Sequence, residues 1–111
     1  MANLMIKDFI EEVRQDNETK GLYDSISDPR EYLVHIHSEV SEIYEALRKG
    51  SALTKIYHDD DGKPEGVPAE LADVVLSCFG MAGLYGIDLE AAILEKHAYD
   101  RVRAFRHGKE F

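Results

Sequence analysis

The sequence predicts an all-α fold: a bundle of four main helices per chain, completed by homo-oligomerisation. Three observations predict it. Apolar residues recur at steps of three and four along four stretches bounded by Asp, Pro or Gly, with no strand-like alternation and no internal repeat. At 111 residues the chain has room for one domain, so residues 1–111 are expected to form a single unit. The third stretch is apolar nearly all round and needs cover on every side, which three amphipathic neighbours supply only in part; further copies would close the bundle as a dimer or tetramer.

The first helix is expected over about residues 3–18, with Asn3 as N-cap, Met5, Phe9, Ile10 and Val13 on one face, and Lys20-Gly21 as its stop. The second starts at Asp28. The run Asp28-Pro29-Arg30-Glu31 supplies a cap, a proline whose fixed φ suits the first helical position, and an acid three residues after the cap. Its apolar seam is Leu33, Ile36, Val40, Ile43 and Leu47, and Gly50 ends it. Residues 51–67 read as a loop without regular structure, because Asp59-Asp60-Asp61-Gly62-Lys63-Pro64-Glu65-Gly66 is dense in turn formers. The third helix runs from about 68 to 85 with Gly86 as its left-handed stop. The fourth follows Asp88 as N-cap, turns Leu89, Ala92, Ile93 and Tyr99 inward, and fades near Arg103.

Charge narrows the function classes. Thirteen basic against 22 acidic residues give a net charge of −9, which repels long nucleic acid and anionic membrane surfaces. Residues 96–111 reverse the sign: Lys96, Arg101, Arg103, Arg106 and Lys109 oppose Asp100 and Glu110, a small basic end on an acidic body. A single cysteine, Cys78, forms no internal disulfide, and the first dozen residues turn acidic without an apolar run, so a cytoplasmic protein is expected. The stretch from 71 to 85, interrupted by Asp73 and Ser77, reads as a core helix and as too short for a membrane span.

The placement of carboxylates is the informative feature. Glu39 and Glu42 lie three apart on the second helix, about 60° from each other around its axis, and Glu39 borders the apolar seam. Glu70 and Asp73 repeat the spacing in the first two turns of the most apolar helix. A pair of glutamates on a helix is often only a solvated face, and an acid at 70 also suits the positive end of a helix dipole. Asp73, among Leu71, Ala72, Val74, Val75 and Leu76, suits neither reading. Four carboxylates converging from two core helices cannot all stay ionised without a cation, and Mg²⁺, with Mn²⁺ as substitute, is the hard divalent ion that oxygen ligands and phosphates share.

Rival chemistries lack their residues. A di-iron bundle needs Glu-x-x-His, and no glutamate here has histidine three residues later; His35 and His37 read as partly buried polar residues. There is no phosphate loop, no dinucleotide fingerprint and no nucleophile elbow, and Cys78 reads as a small hydrophobe.

Glu39-Val40-Ser41-Glu42 followed by Glu70-Leu71-Ala72-Asp73, together with the stretches Gly62 to Pro68 and Gly86 to Glu90 and the ending Arg106-His107-Gly108-Lys109, carries a resemblance. Over residues 28–109 the chain resembles the MazG-like all-α nucleoside triphosphate pyrophosphohydrolases, a group that includes dimeric dUTPases, dCTP pyrophosphatases and phosphoribosyl-ATP pyrophosphohydrolase. The resemblance implies that Glu39, Glu42, Glu70 and Asp73 are the catalytic, Mg²⁺-holding residues. It also implies hydrolysis of a (d)NTP between its α and β phosphates, giving a nucleoside monophosphate and pyrophosphate in nucleotide-pool house-cleaning. The substrate-binding set it implies is Lys96, Asp100, Arg103, Arg106 and Lys109. Related chains carry asparagine where this one has Asp100; an acid there repels phosphate unless Lys96, Arg103 or a second cation pairs with it. The alternatives are a non-catalytic helical oligomerisation or regulatory module of the same fold, and phosphoribosyl-ATP hydrolysis.

Overall fold

The apolar third helix organises the chain. In the computed structural model, which describes residues 5–103, the order is α1 (Ile6–Thr19), α2 (Pro29–Arg48), β1 (Tyr57–His58), β2 (Pro64–Glu65), α3 (Val67–Tyr85) and α4 (Leu89–Val102). The described residues are mostly helical, and α3 packs along α2 on one side and α1 on the other.

Most boundaries follow from local chemistry. Asp28 caps α2, its carboxylate accepting the Arg30 N–H at 2.6 Å, with Pro29 at the first helical position. Glu31 reaches back one residue further than the capping pattern implies, accepting the Ser27 N–H at 3.1 Å and the Ser27 hydroxyl at 2.5 Å. Gly86 closes α3 in the left-handed region at φ 66°, and Asp88 caps α4 by accepting the Ala91 N–H at 3.0 Å.

The start of α1 and the segment after α2 depart from expectation. The predicted cap Asn3 lies outside the described residues; α1 begins at Ile6, and Met5 at its cap position makes no side-chain bond. The acceptor comes instead from 83 residues away: the Glu90 carboxylate at the start of α4 takes the Lys7 N–H at 2.7 Å. The segment read as structureless holds an antiparallel ladder, Tyr57 opposite Glu65 and His58 opposite Pro64. Strands of two residues are too short to show alternation. The turn between them forms because the Asp59 carboxylate accepts the N–H groups of Asp61 and Lys63 at 2.8 and 2.9 Å, with Gly62 at φ 83°.

Close approach to α3 depends on its glycines. The Tyr23 hydroxyl donates to the Gly80 carbonyl at 2.8 Å, and a Cβ at Gly80 would collide with the Tyr32 hydroxyl and lie 2.9 Å from Asn17 Nδ2. Phe9 of α1 meets Phe79 of α3 edge to face at 5.8 Å.

The chain does not cover its own apolar surface. Among the described residues the buried apolar side chains are Ile10, Tyr32, Val67 and Ala82, and the Cα radius of gyration is 16.6 Å, against about 13 Å for a compact chain of this length. Leu33, Val40 and Leu47, three of the five residues of the α2 seam, are exposed, as are Leu71 and Val75 on α3. The fourth helix departs furthest from expectation. Its packing is against α1, and Ala92, Ile93 and Tyr99, expected to face inward, are exposed. By length and composition alone α3, at 19 residues, is long and apolar enough to cross a membrane, a test that the core helix of a water-soluble bundle also passes. Glu70 and Asp73 in its first two turns argue against lipid there, where each charge is costly.

Candidate metal centre

Packing of α2 against α3 brings the two E-x-x-(E/D) spacings face to face. One oxygen each from Glu39, Glu70 and Asp73 lies within 4.8 Å of the others. Glu42 stands outside this trio but within electrostatic reach. Burial, and then the negative charges of Asp73, Glu42, Glu65 and Glu39, push the Glu70 carboxyl above its ordinary range. The expected four-carboxylate site is therefore three oxygens in contact range with a fourth acid beside them. Glu65, on β2, is a fifth acid that the sequence did not single out.

The donor set suits a hard cation. All three donors are carboxylate oxygens, and octahedral coordination at about 2.1 Å places ligand oxygens about 3.0 Å apart when adjacent and about 4.2 Å when opposite. A spread of up to 4.8 Å comes within that range by small side-chain rotations. His35 completes the near side: its Nε2 is 3.7 Å from Glu39 Oε1 and 3.3 Å from Ser77 Oγ, and its ring meets Tyr32 edge to face at 5.9 Å. His37 has no such place. Its carbonyl accepts the Ser41 hydroxyl at 3.3 Å along the same helix.

A groove of about 710 Å³ opens beside the trio. Glu39 and Asp73 line one part of it, and Phe9, Val13 and Asn17 of α1, with Lys20, Ser25 and Ile26 of the following turn, line much of the rest. Ligand sites for small molecules run from about 300 to 1,000 Å³, so a nucleotide fits by volume. The sequence places Phe9 and Val13 on one apolar face of α1, but nothing in it says that this face borders the carboxylates.

The basic residues lie elsewhere on the chain. Lys96 Nζ pairs with Asp100 Oδ1 at 2.9 Å and Arg103 approaches the same oxygen at 3.4 Å, so Asp100 is flanked by two cations. The Lys96 ammonium sits 5.3 Å from the Tyr99 ring centroid and the Arg103 guanidinium 6.0 Å. None of these three lines the groove beside the carboxylates, whose walls come from α1, α2, α3 and the turn after α1. Arg106 and Lys109 lie outside the described residues. No family model, curated protein or solved structure matches the chain, and the reading of the site rests on its own residues.

Proposed function

We propose that this chain is a Mg²⁺-dependent nucleoside triphosphate pyrophosphohydrolase of the MazG-like all-α kind, cleaving a (d)NTP between the α and β phosphates. The observation that carries the reading is the meeting of Glu39, Glu70 and Asp73 from two helices at the edge of a nucleotide-sized groove. When bound, a divalent cation neutralises phosphate charge and lowers the pKa of the attacking water.

The chain's own residues do the rest. Glu39, Glu70 and Asp73 hold the cation, and Glu42 adds negative charge beside it. His35, touching Glu39 and Ser77, fixes the Glu39 side chain. Phe9, Val13 and Leu76 give the groove apolar walls that receive the nucleoside and exclude water. Lys96 and Arg103, with Asp100 orienting both, and Arg106 and Lys109 beyond them, receive the leaving pyrophosphate. Because Lys96 and Arg103 do not line their own chain's groove, the active form is a homo-oligomer in which α4 serves the groove of a second copy. Exposed Leu33, Val40, Leu47, Leu71 and Val75 supply the apolar surface for that assembly, as a dimer or tetramer. The lone Cys78 and the acidic surface suit the cytoplasm.

A second reading, a non-catalytic helical oligomerisation module, is favoured by one observation: Asp100 already neutralises part of the charge of Lys96 and Arg103. The discriminating experiment is a panel of (d)NTPs and phosphoribosyl-ATP assayed for monophosphate and pyrophosphate with and without Mg²⁺. Release of both products that depends on Mg²⁺ supports the enzyme, and no turnover of any substrate supports the module. Light scattering at micromolar concentration checks the assembly; a monomer there contradicts it.

A further inference from the structure

A site built from acids needs cations to meet phosphate oxygens; Lys20 lines this groove, and Lys96 and Arg103 do not. The hairpin between β1 and β2 carries another beside Glu65, next to the turn of α3 that bears Glu70. The Asp59 N–H donates to the Lys63 carbonyl at 3.1 Å while the Asp59 carboxylate holds the Lys63 N–H, so the backbone at 63 is fixed from both sides. Gly66 then fastens the hairpin to α3. Its φ is 108°, a Cβ there would lie 2.6 Å from the Lys55 carbonyl, and its own carbonyl accepts the Glu70 N–H at 3.0 Å. The turn of α3 that carries Glu70 and the hairpin that carries Lys63 are thus one rigid corner.

Within that corner Lys63 Nζ lies 3.6 Å from Glu65 Oε1. The Glu65 side chain is 27% exposed and the Lys63 side chain 69%, so the acid is half enclosed and the ammonium reaches it from solvent. Glu65, Glu70 and Asp59 together hold the Lys63 ammonium in its charged form, Glu65 most strongly. A structural role explains little of this. An exposed pair at this distance stabilises a fold by about 1 kcal/mol at most, and the backbone bonds of Asp59 and the left-handed Gly62 already set the hairpin.

Resting on the function proposed above, we infer that Lys63 is a phosphate-binding residue of the carboxylate site: its ammonium turns from Glu65 to the oxygens of a cation-bound polyphosphate. A lysine suits this role because its charge sits on a flexible stem anchored to a fixed backbone. The hairpin, rather than α4, then supplies a cation to the carboxylates from the same chain, in addition to Lys20 in the groove.

The test uses the full-length protein, Mn²⁺ alone, and inorganic pyrophosphate in the presence of Mg²⁺, all by isothermal titration. Lys63→Gln is expected to leave Mn²⁺ affinity unchanged or a few-fold tighter, since a positive charge near the site is lost. Its pyrophosphate affinity is expected to fall about 10- to 100-fold, the range for one charge-assisted hydrogen bond. Lys63→Arg should recover much of that loss, and neither variant should move the thermal midpoint by more than about 2 °C, as for ordinary surface substitutions. Unchanged pyrophosphate affinity in Lys63→Gln overturns the inference, as does a parallel loss of Mn²⁺ affinity or of stability. Failure of the wild-type protein to bind Mn²⁺ overturns the site itself, and the inference with it.

Discussion

Replacing Asp73 with asparagine removes one negative charge from a place where three carboxylate oxygens lie within 4.8 Å of one another. Two full charges 4.8 Å apart repel by about 0.9 kcal/mol even at the dielectric constant of water, and salt at 0.15 M, with a Debye length of about 8 Å, reduces this by about half. Asp73 forms two such pairs, with Glu39 and Glu70, and partial burial of Glu70 strengthens rather than weakens them. Asp73→Asn should therefore stabilise the metal-free protein by about 1–2 kcal/mol, or about 4–8 °C in thermal midpoint for a domain of this size. Thermal unfolding by circular dichroism in EDTA, at one protein concentration and two salt concentrations, reads the effect. The gain should shrink at high salt. Mg²⁺ should then raise the midpoint of the wild type but scarcely that of the variant, because a ligand stabilises only the state that binds it. Nucleotide hydrolysis should be lost. A variant less stable than wild type in EDTA, or one stabilised equally by Mg²⁺, would refute the claim that this acid is placed for a cation.

Three further outcomes follow from other features. Glu70 is raised above its ordinary value of 4.5, so its ionisation opposes folding: the stability linked to it is present in full below that pH and lost as pH rises through the folded value. In EDTA, wild type measured against Glu70→Gln by urea unfolding should lose ground as pH rises above the ordinary value of 4.5, and a flat difference would contradict the shift. Gly80→Ala should destabilise by about 1–3 kcal/mol in the same assay, since the added methyl meets the Tyr32 hydroxyl and Asn17 Nδ2. Glu90→Ala should speed hydrogen exchange at the Lys7 amide and destabilise by about 1 kcal/mol, the usual loss for a helix cap; unchanged exchange would show the contact to be incidental.

Helix starts and stops were legible wherever a single residue satisfies the backbone locally. Asp28 with Pro29, Gly50, Gly86 and Asp88 each stand where the sequence places them, because capping and left-handed turns depend on near neighbours. The cap of α1 was not legible: its acceptor is Glu90, distant in the chain, and nothing at residues 3–5 announces it. The hairpin was missed for a related reason. Its register is set by the Asp59 carboxylate and by the fit of Gly66 under the Lys55 carbonyl, not by an apolar pattern. At the site, the helical spacing of Glu39 with Glu42 and of Glu70 with Asp73 predicted which faces would meet. It gave no indication of Glu65 or Lys63, which arrive through the hairpin, nor of the α1 wall of the groove. Asp100 meets the condition that the sequence set for it: it sits between Lys96 and Arg103, which pair with its charge.

The bond from Glu90 to the first turn of α1 ties the fourth helix at one end, while Leu94, Tyr99 and Val102 beyond it remain uncovered. A rod pinned at one end is a lever, and its bearing is decided by whatever grips the far end. A pull on that rod would reach α3 through the short link at 86–88 and through α1, which packs along α3 and walls the groove, so the carboxylates lie within reach of whatever grips α4.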